Sequence, residues 1–231
     1  MQKDTKHSKI TQTEIRGNLL RRPKGAVFVL ALVAFLEGNA LANDPSVFDA
    51  YNLKYGVSIN VPRHWTVLEK QLTDAINTDV EVLTGSGQAN NDIILAANYY
   101  SADSRDAAAT ISVSVQSKKT ASQKEVAAMT QADLDAMAAQ AQAVARAGAE
   151  RAGDKLSHST PFRMTKDVIG GYIALRTEYQ DIDPNQTQNV SVYVICLGNN
   201  LTKITISYAA TQKSLLEPTT TAIMKSIRIK R

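Results

Sequence analysis

Tyr55, Val57, Ile59 and Val61 alternate with Gly56, Ser58 and Asn60, and this period of two predicts a half-buried strand. Pro62, which has no N–H to give a ladder, ends it. Trp65, Val67 and Leu68 resume an extended course after a short turn, while 43–54 shows no period and reads as an extended lead-in. Leu72, Ile76 and Val80 stand four apart and predict one short helix within 69–83. Thr84-Gly85-Ser86-Gly87 and Asn90-Asn91-Asp92 are loop chemistry. Two strands follow, Ile93 to Tyr99 and Thr110 to Val115, turned through Ser101 to Asp106.

The period then changes. Ser122-Gln123-Lys124-Glu125 is a capping box: the serine side chain accepts from the third amide and the glutamate reaches back. It opens a helical stretch running to about Gly153, with a second start signal at Thr130-Gln131-Ala132-Asp133. Twelve alanines lie between Ala127 and Ala152, and Leu134, Met137, Ala141 and Val144 form a stripe. The expectation is one long helix laid across the sheet, burying mostly small side chains. Phe162 to Lys166, Tyr172 to Tyr179, Asn189 to Leu197 and Leu201 to Ala209 read as strands. Gly170-Gly171 turns the first pair, a loop holds Asp181-Ile182-Asp183-Pro184, and Gly198-Asn199-Asn200 joins the last two. Ser214-Leu215-Leu216-Glu217 repeats the capping-box spacing, with Pro218 expected in the first turn of a helix ending near Ser226. Ile227-Arg228-Ile229 adds an edge strand. Strands in runs, with helices between the runs, predict an α+β fold: an antiparallel sheet flanked by helices, as one domain over 43–231.

Charge changes the picture only at one end. The chain carries 26 Lys/Arg against 22 Asp/Glu, a formal +4, but seven of those bases and three of those acids lie in residues 1–42. The remainder is balanced, so no global field draws it to nucleic acid. Residues 1–42 have the three-part order of a secretory signal. A basic stretch ends in Arg21-Arg22-Pro23-Lys24, an apolar run spans Ala26 to Leu36, and Ala40-Leu41-Ala42 is a small-x-small cleavage pattern. The apolar run is about half the ~20 residues a bilayer-spanning helix needs. Cleavage after Ala42 and release into the periplasm is the expectation, with the membrane touched only through the signal; a segment retained as a membrane anchor is the alternative. The twin arginine lacks the Phe-Leu-Lys that follows in Tat signals, which favours the general Sec route.

Candidate chemistry is sparse. Beyond the signal stand two histidines, His64 and His158, in no metal-binding spacing, and one cysteine, Cys196, whose place beyond Val190, Val192 and Val194 puts its thiol on an apolar strand face. Asp181, Asp183 and Asn185 imitate the first ligands of a calcium loop, but that loop needs Gly at position six and Glu at twelve, where Gln186 and Val192 stand. No GxSxG elbow occurs, and Gly85-Ser86-Gly87 lacks the Lys and Ser/Thr of a phosphate loop. Tyr99-Tyr100 reads as one inward and one outward ring. No catalytic residue, metal ligand or cofactor is therefore expected, and the chain is expected not to be an enzyme.

The segment Gly56-Val57-Ser58-Ile59-Asn60-Val61-Pro62-Arg63-His64-Trp65, a strand followed by Pro-x-x-Trp, resembles the opening of the PsbP-like superfamily. That group includes photosystem II PsbP, the Ran-binding Mog protein and bacterial periplasmic proteins of the DcrB type. The order that follows is similar over residues 53–230, down to the terminal Ser226-Ile227-Arg228. The export signal, the sparse chemistry and the superfamily's habits together give the expectation of a non-catalytic accessory protein acting through protein–protein contacts, while the resemblance itself implies the fold, an α/β/α sandwich of PsbP-like type. It implies no ligand set, because members of the group serve unrelated partners. Two other readings stand beside it. One is a carrier of a small apolar ligand between the sheet and the Ala-rich helix. The other is a hydrolase with a dispersed site, which would need His64 or His158 beside carboxylates in a cleft.

Overall fold

The computed structural model describes residues 48–69, 91–102, 104, 106–151, 158–183 and 186–230. The expected secretory signal, the helix expected within 69–83, the Gly85-Ser86-Gly87 loop, and Pro184 and Asn185 of the calcium-like run lie outside the described residues.

Two antiparallel sheets carry the fold. The smaller has three strands in the order β1 (Phe48–Asn52), β2 (Val57–Pro62) and β11 (Arg228–Ile229). The larger has eight: β3 (Thr66–Val67), β4 (Asn91–Tyr100), β5 (Ala107–Ser117), β10 (Asn200–Ala209), β9 (Thr187–Cys196) and β8 (Tyr172–Ile182) in spatial order, with β6 (His158–Ser159) and β7 (Arg163–Ile169) both on the outer edge of β8. The expected α+β class with antiparallel pairing is what the chain adopts. The lead-in at 43–54 hides a strand, however. Among the described residues of that stretch, Phe48, Tyr51 and Leu53 pack against the core, a spacing that prints no period of two.

Alternation along the central strands sends side chains to two covered faces. On one face, Ala97, Ile111, Val113, Tyr193, Ile195, Ile204 and Ile206 meet Val57, Ile59 and Val61 of the small sheet, together with Leu216, Ile223 and Ile227. The last three belong to or follow α3 (Lys213–Ser226), which lies between the two sheets' ends. The opposite face holds Leu175, Val194 and Cys196 against Val126, Leu134 and Ala138. Both faces of β9 are therefore covered near its C-terminal end, with Tyr193 and Ile195 on one side and Val194 and Cys196 on the other.

The helical stretch departs from expectation. It is two helices, α1 (Gln123–Ala128) and α2 (Gln131–Arg151), broken at Met129-Thr130. Two successive start signals are both used. Ser122 and Glu125 form their reciprocal box, and the Asp133 carboxylate accepts from the Thr130 backbone at 2.7 Å while Thr130 Oγ1 accepts from the Asp133 amide at 3.2 Å. Two start signals end one helix and begin the next. Lys166 fastens the break by donating to the carbonyls of Ala127 and Met129 at 2.7 and 2.6 Å. Gln123 sets α1 on the sheet: its amide nitrogen donates to Ile173 O and Cys196 O, and its oxygen accepts from Ile173 N at 2.7 Å. Of the stripe on α2, Leu134 and Ala138 are buried and Met137 packs beside them, but Val144 is 63% exposed. The helix runs over the β7 side of the sheet rather than across it, so its second half has little sheet beneath it.

Two turn expectations also change. The helix α3 begins at Lys213, with Gln212 at its cap making no side-chain bond, so Ser214 lies inside the helix and no box forms there. Pro218 accordingly falls within the helix rather than in its first turn. The ladder β8–β9 continues to Ile182 opposite Thr187, so Asp181 and Ile182 are strand and only Asp183 to Gln186 turns.

Candidate functional site

The residues singled out from sequence do not assemble. His64 sits exposed in the turn after Pro62, its ring edge-on to Tyr99 at 5.5 Å, and partial burial holds its pKa below the ordinary value. Its neighbour Arg63 is paired with Asp49 at 2.7 Å. His158 opens β6 at the opposite side of the eight-stranded sheet. Cys196 is buried, and that burial pushes its thiol pKa up, away from the reactive thiolate. Among the described residues no group of three or more His, Cys, Asp or Glu could hold a metal ion. Trp65 is 4% exposed and stacked on Tyr99 at 6.1 Å, a core anchor whose indole Nε1 has no hydrogen-bond partner. Between sheet and α2, where an apolar ligand was considered, Leu134, Ala138, Met137, Met164 and Leu175 occupy the space.

A different cluster does assemble, on the face that carries the small sheet but towards β7. Register places Arg176 beside Thr165 and Tyr193, and Glu178 beside Ser191, while Asn189 stands opposite Gln180 and Tyr208. Even positions of β8 and odd positions of β9 share this face, because Ala174, Tyr193 and Ile195 belong to the same core. The small sheet and α3 cover β4, β5 and β10 but leave this corner as a polar shelf. Arg176 is its centre. Its Nη2 donates to Glu178 Oε1 at 2.6 Å, its Nη1 is 3.9 Å from Asp167 Oδ2, and its Cζ lies 5.5 Å from the Tyr193 ring centre. These ion pairs are about one-third exposed, so each contributes little stability, ~0–1 kcal/mol. They fix geometry instead: the guanidinium is clamped flat between two carboxylates and an aromatic face.

The shelf has a further property. Arg176 Nε, Asn189 Nδ2 and Gln212 Oε1 are buried polar atoms without a hydrogen-bond partner. Gln212 belongs to the turn between β10 and α3 that packs over β9. Each orphan costs roughly 1–3 kcal/mol when it has given up water for nothing. Tyr208 marks the near wall: burial first, then the Glu217 and Glu178 charges, raise its phenol pKa above the ordinary value. Tyr193 is raised too, chiefly by burial, with Arg176 pulling the other way. The phenols stay protonated donors. The unpartnered donors and acceptor, beside a fixed cation and two aromatic rings, suit recognition of a polar chain.

None of these shelf residues was singled out from sequence. Arg176 and Glu178 at i and i+2 on a strand do share a face, and that pairing was the available signal.

No family model matches the sequence, and no curated protein matches it. Solved structures do. The chain is similar to the solution structure of cyanobacterial PsbP (CyanoP) from Synechocystis, at 11% identity and TM-score 0.49, covering 84% of this chain and 96% of that one. It is similar to LpqN, involved in cell envelope biogenesis of Mycobacterium tuberculosis, at 13% identity and TM-score 0.44, covering 76% and 83%. A protein of unknown function from Pseudomonas aeruginosa is similar at 13% identity and TM-score 0.36, covering 80% and 99%. Likeness at these identities is one of backbone course and brings no residue role with it.

Proposed function

We propose that this chain is an exported, non-catalytic accessory protein that acts through protein–protein contacts made on the Arg176 shelf. The observation that carries the reading is that the polar face of β8 and β9, with the turn packed over β9, holds three buried polar atoms without hydrogen-bond partners, Arg176 Nε, Asn189 Nδ2 and Gln212 Oε1, spread along it. A partner's backbone or side-chain groups would satisfy them and return the cost of leaving them bare. Export places the protein in the periplasm, as a single domain over 43–231 after cleavage behind Ala42. Among the described residues no helix is long and apolar enough to cross a membrane.

The test is site-specific photo-crosslinking in cells. A benzophenone side chain placed at Ser191 on the shelf should capture a discrete protein, and the same group at Ala50 on the outer face of the small sheet should not. Arg176→Ala should abolish the Ser191 adduct while leaving the melting temperature within a few degrees. Equal capture from both positions, or capture unaffected by Arg176→Ala, would refute the shelf as the contact. N-terminal sequencing of the accumulated protein should begin at Asn43; an intact Met1 start would refute cleavage.

A further inference from the structure

The α2 face of the larger sheet is not uniformly apolar. Its β8–β9 half carries Leu175, Val194 and Cys196, but across β4, β5 and β10 the same face turns hydroxylic. Register sets Asn98 beside Thr110 and Thr110 beside Ser207, then Ala96 beside Ser112 and Ser112 beside Thr205, and finally Ser114 beside Lys203. The first row satisfies itself, Thr110 Oγ1 lying 2.8 Å from Ser207 Oγ and Asn98 donating to Tyr100 OH at 3.1 Å. The last row does not. Ser114 is 3% exposed and its Oγ has no partner, although a directly opposed pair on adjacent strands brings Cβ atoms within about 5.5 Å.

Lys203 is the unusual member. Among the described residues no carboxylate forms an ion pair with it, and the nearest charge acting on it is a second ammonium, Lys118, just beyond the end of β5. Burial lowers the Lys203 pKa first, and Lys118 lowers it further. The Lys118 charge also acts on Cys196 of β9, across the intervening β10, so it is felt along this end of the face. Lys203 is partly buried, so its ammonium gives up part of its hydration without an ion pair in return. Here two cations and an orphaned hydroxyl share a corner, with Lys118 exposed at its mouth.

We propose that this corner is a binding site for a small oxyanion, held by the Lys203 ammonium and the Ser114 hydroxyl, with Lys118 at the entrance. The site lies on the opposite face of the sheet from the Arg176 shelf and does not depend on it. A tetrahedral or planar anion between Lys203 Nζ and Ser114 Oγ would pair the cation and give the hydroxyl an acceptor together. Phosphate and carboxylate share this chemistry, and the measurement separates them.

The experiment is calorimetric titration of the full chain with inorganic phosphate and, separately, with succinate, each against sodium chloride at matched ionic strength. One of the two should bind saturably with 1:1 stoichiometry. Lys203→Met, which keeps length and removes charge, should weaken binding about tenfold or more, the scale of one lost charge-assisted hydrogen bond. Ser114→Ala should weaken it several-fold, and Lys203→Arg should retain it. A second readout needs no variant: the Lys203 13Cε resonance of wild-type protein should report a pKa that rises when the bound anion is added. Absence of saturable binding by either anion, equal binding by Lys203→Met, or an unmoved Lys203 pKa in the anion's presence would each overturn the site.

Discussion

Replacing Trp65 separates two contributions that the fold brings together in one side chain. The ring is 4% exposed, belongs to the core shared by the two sheets, and stacks on Tyr99. Trp65→Ala removes that packing, and truncations of this size in cores cost about 3–5 kcal/mol. The orphaned Nε1 works against the ring, because a buried N–H without a partner carries a penalty of roughly 1–3 kcal/mol that the alanine no longer bears. Trp65→Ala should therefore fall near the low end, about 3 kcal/mol. Trp65→Phe keeps a six-membered ring against Tyr99, loses the orphan and leaves a small void, so its net cost should be about 1 kcal/mol or less. Urea unfolding followed by far-UV circular dichroism gives both numbers, and this probe is needed because Trp65 is the only tryptophan. The slope with denaturant should stay constant across the three proteins. If Phe costs as much as Ala, the indole N–H is satisfied and the reasoning about the orphan fails. If Ala costs under about 1 kcal/mol, the ring does not anchor the core.

Gly56→Ala should destabilise by several kcal/mol, since φ is +72° and a Cβ there would lie 2.6 Å from the Lys230 carbonyl oxygen, which is backbone and cannot swing away. Faster hydrogen exchange of the β11 amides checks it, and unchanged protection would refute it. Ser122→Ala should cost about 1 kcal/mol by removing the α1 cap. The Glu125 and Asp133 carboxylates are both held below their ordinary pKa values, first by the backbone amides of Ser122 and Thr130 and then by those residues' hydroxyls. A lowered folded-state pKa means their contribution is present above the ordinary carboxylate values and lost as pH falls through the lowered ones. Helical content should therefore decline in acid over that window, and a flat pH profile would count against the boxes.

The antiparallel core was legible because its strands alternate over long runs: the β9–β10 hairpin pairs Leu201 with Cys196 much as its turn residues demand. The capping signals at Ser122 and Thr130 were legible for a local reason, since each bond closes within three residues. What failed were features set by distant contacts. The Ser214 spacing matches a cap, yet the helix begins one residue earlier, and the pattern cannot register that. Val144 continues the α2 stripe in sequence but passes beyond the sheet that would bury it. The division into two sheets was invisible, because it depends on Val57 pairing with Ile229 rather than on either strand's own period. Both sites escaped notice for a related reason. Arg176 and Asn189 share one face only through the β8–β9 register, and Lys203 looks like a routine polar position until the other strands' hydroxyls are placed around it.

The late partner of β2 has a consequence for assembly. Asn60 N donates to Ser226 Oγ across 166 positions, and β11 closes the small sheet with residues made after every strand of the larger one. Until those residues emerge, Ile111, Ile204 and Ile206 have no complete cover on that side. Closure over so long a loop is slow compared with hairpin formation. The nascent chain therefore passes through a stage with a formed sheet and a bare apolar face, the stage at which a holding chaperone would find something to grip.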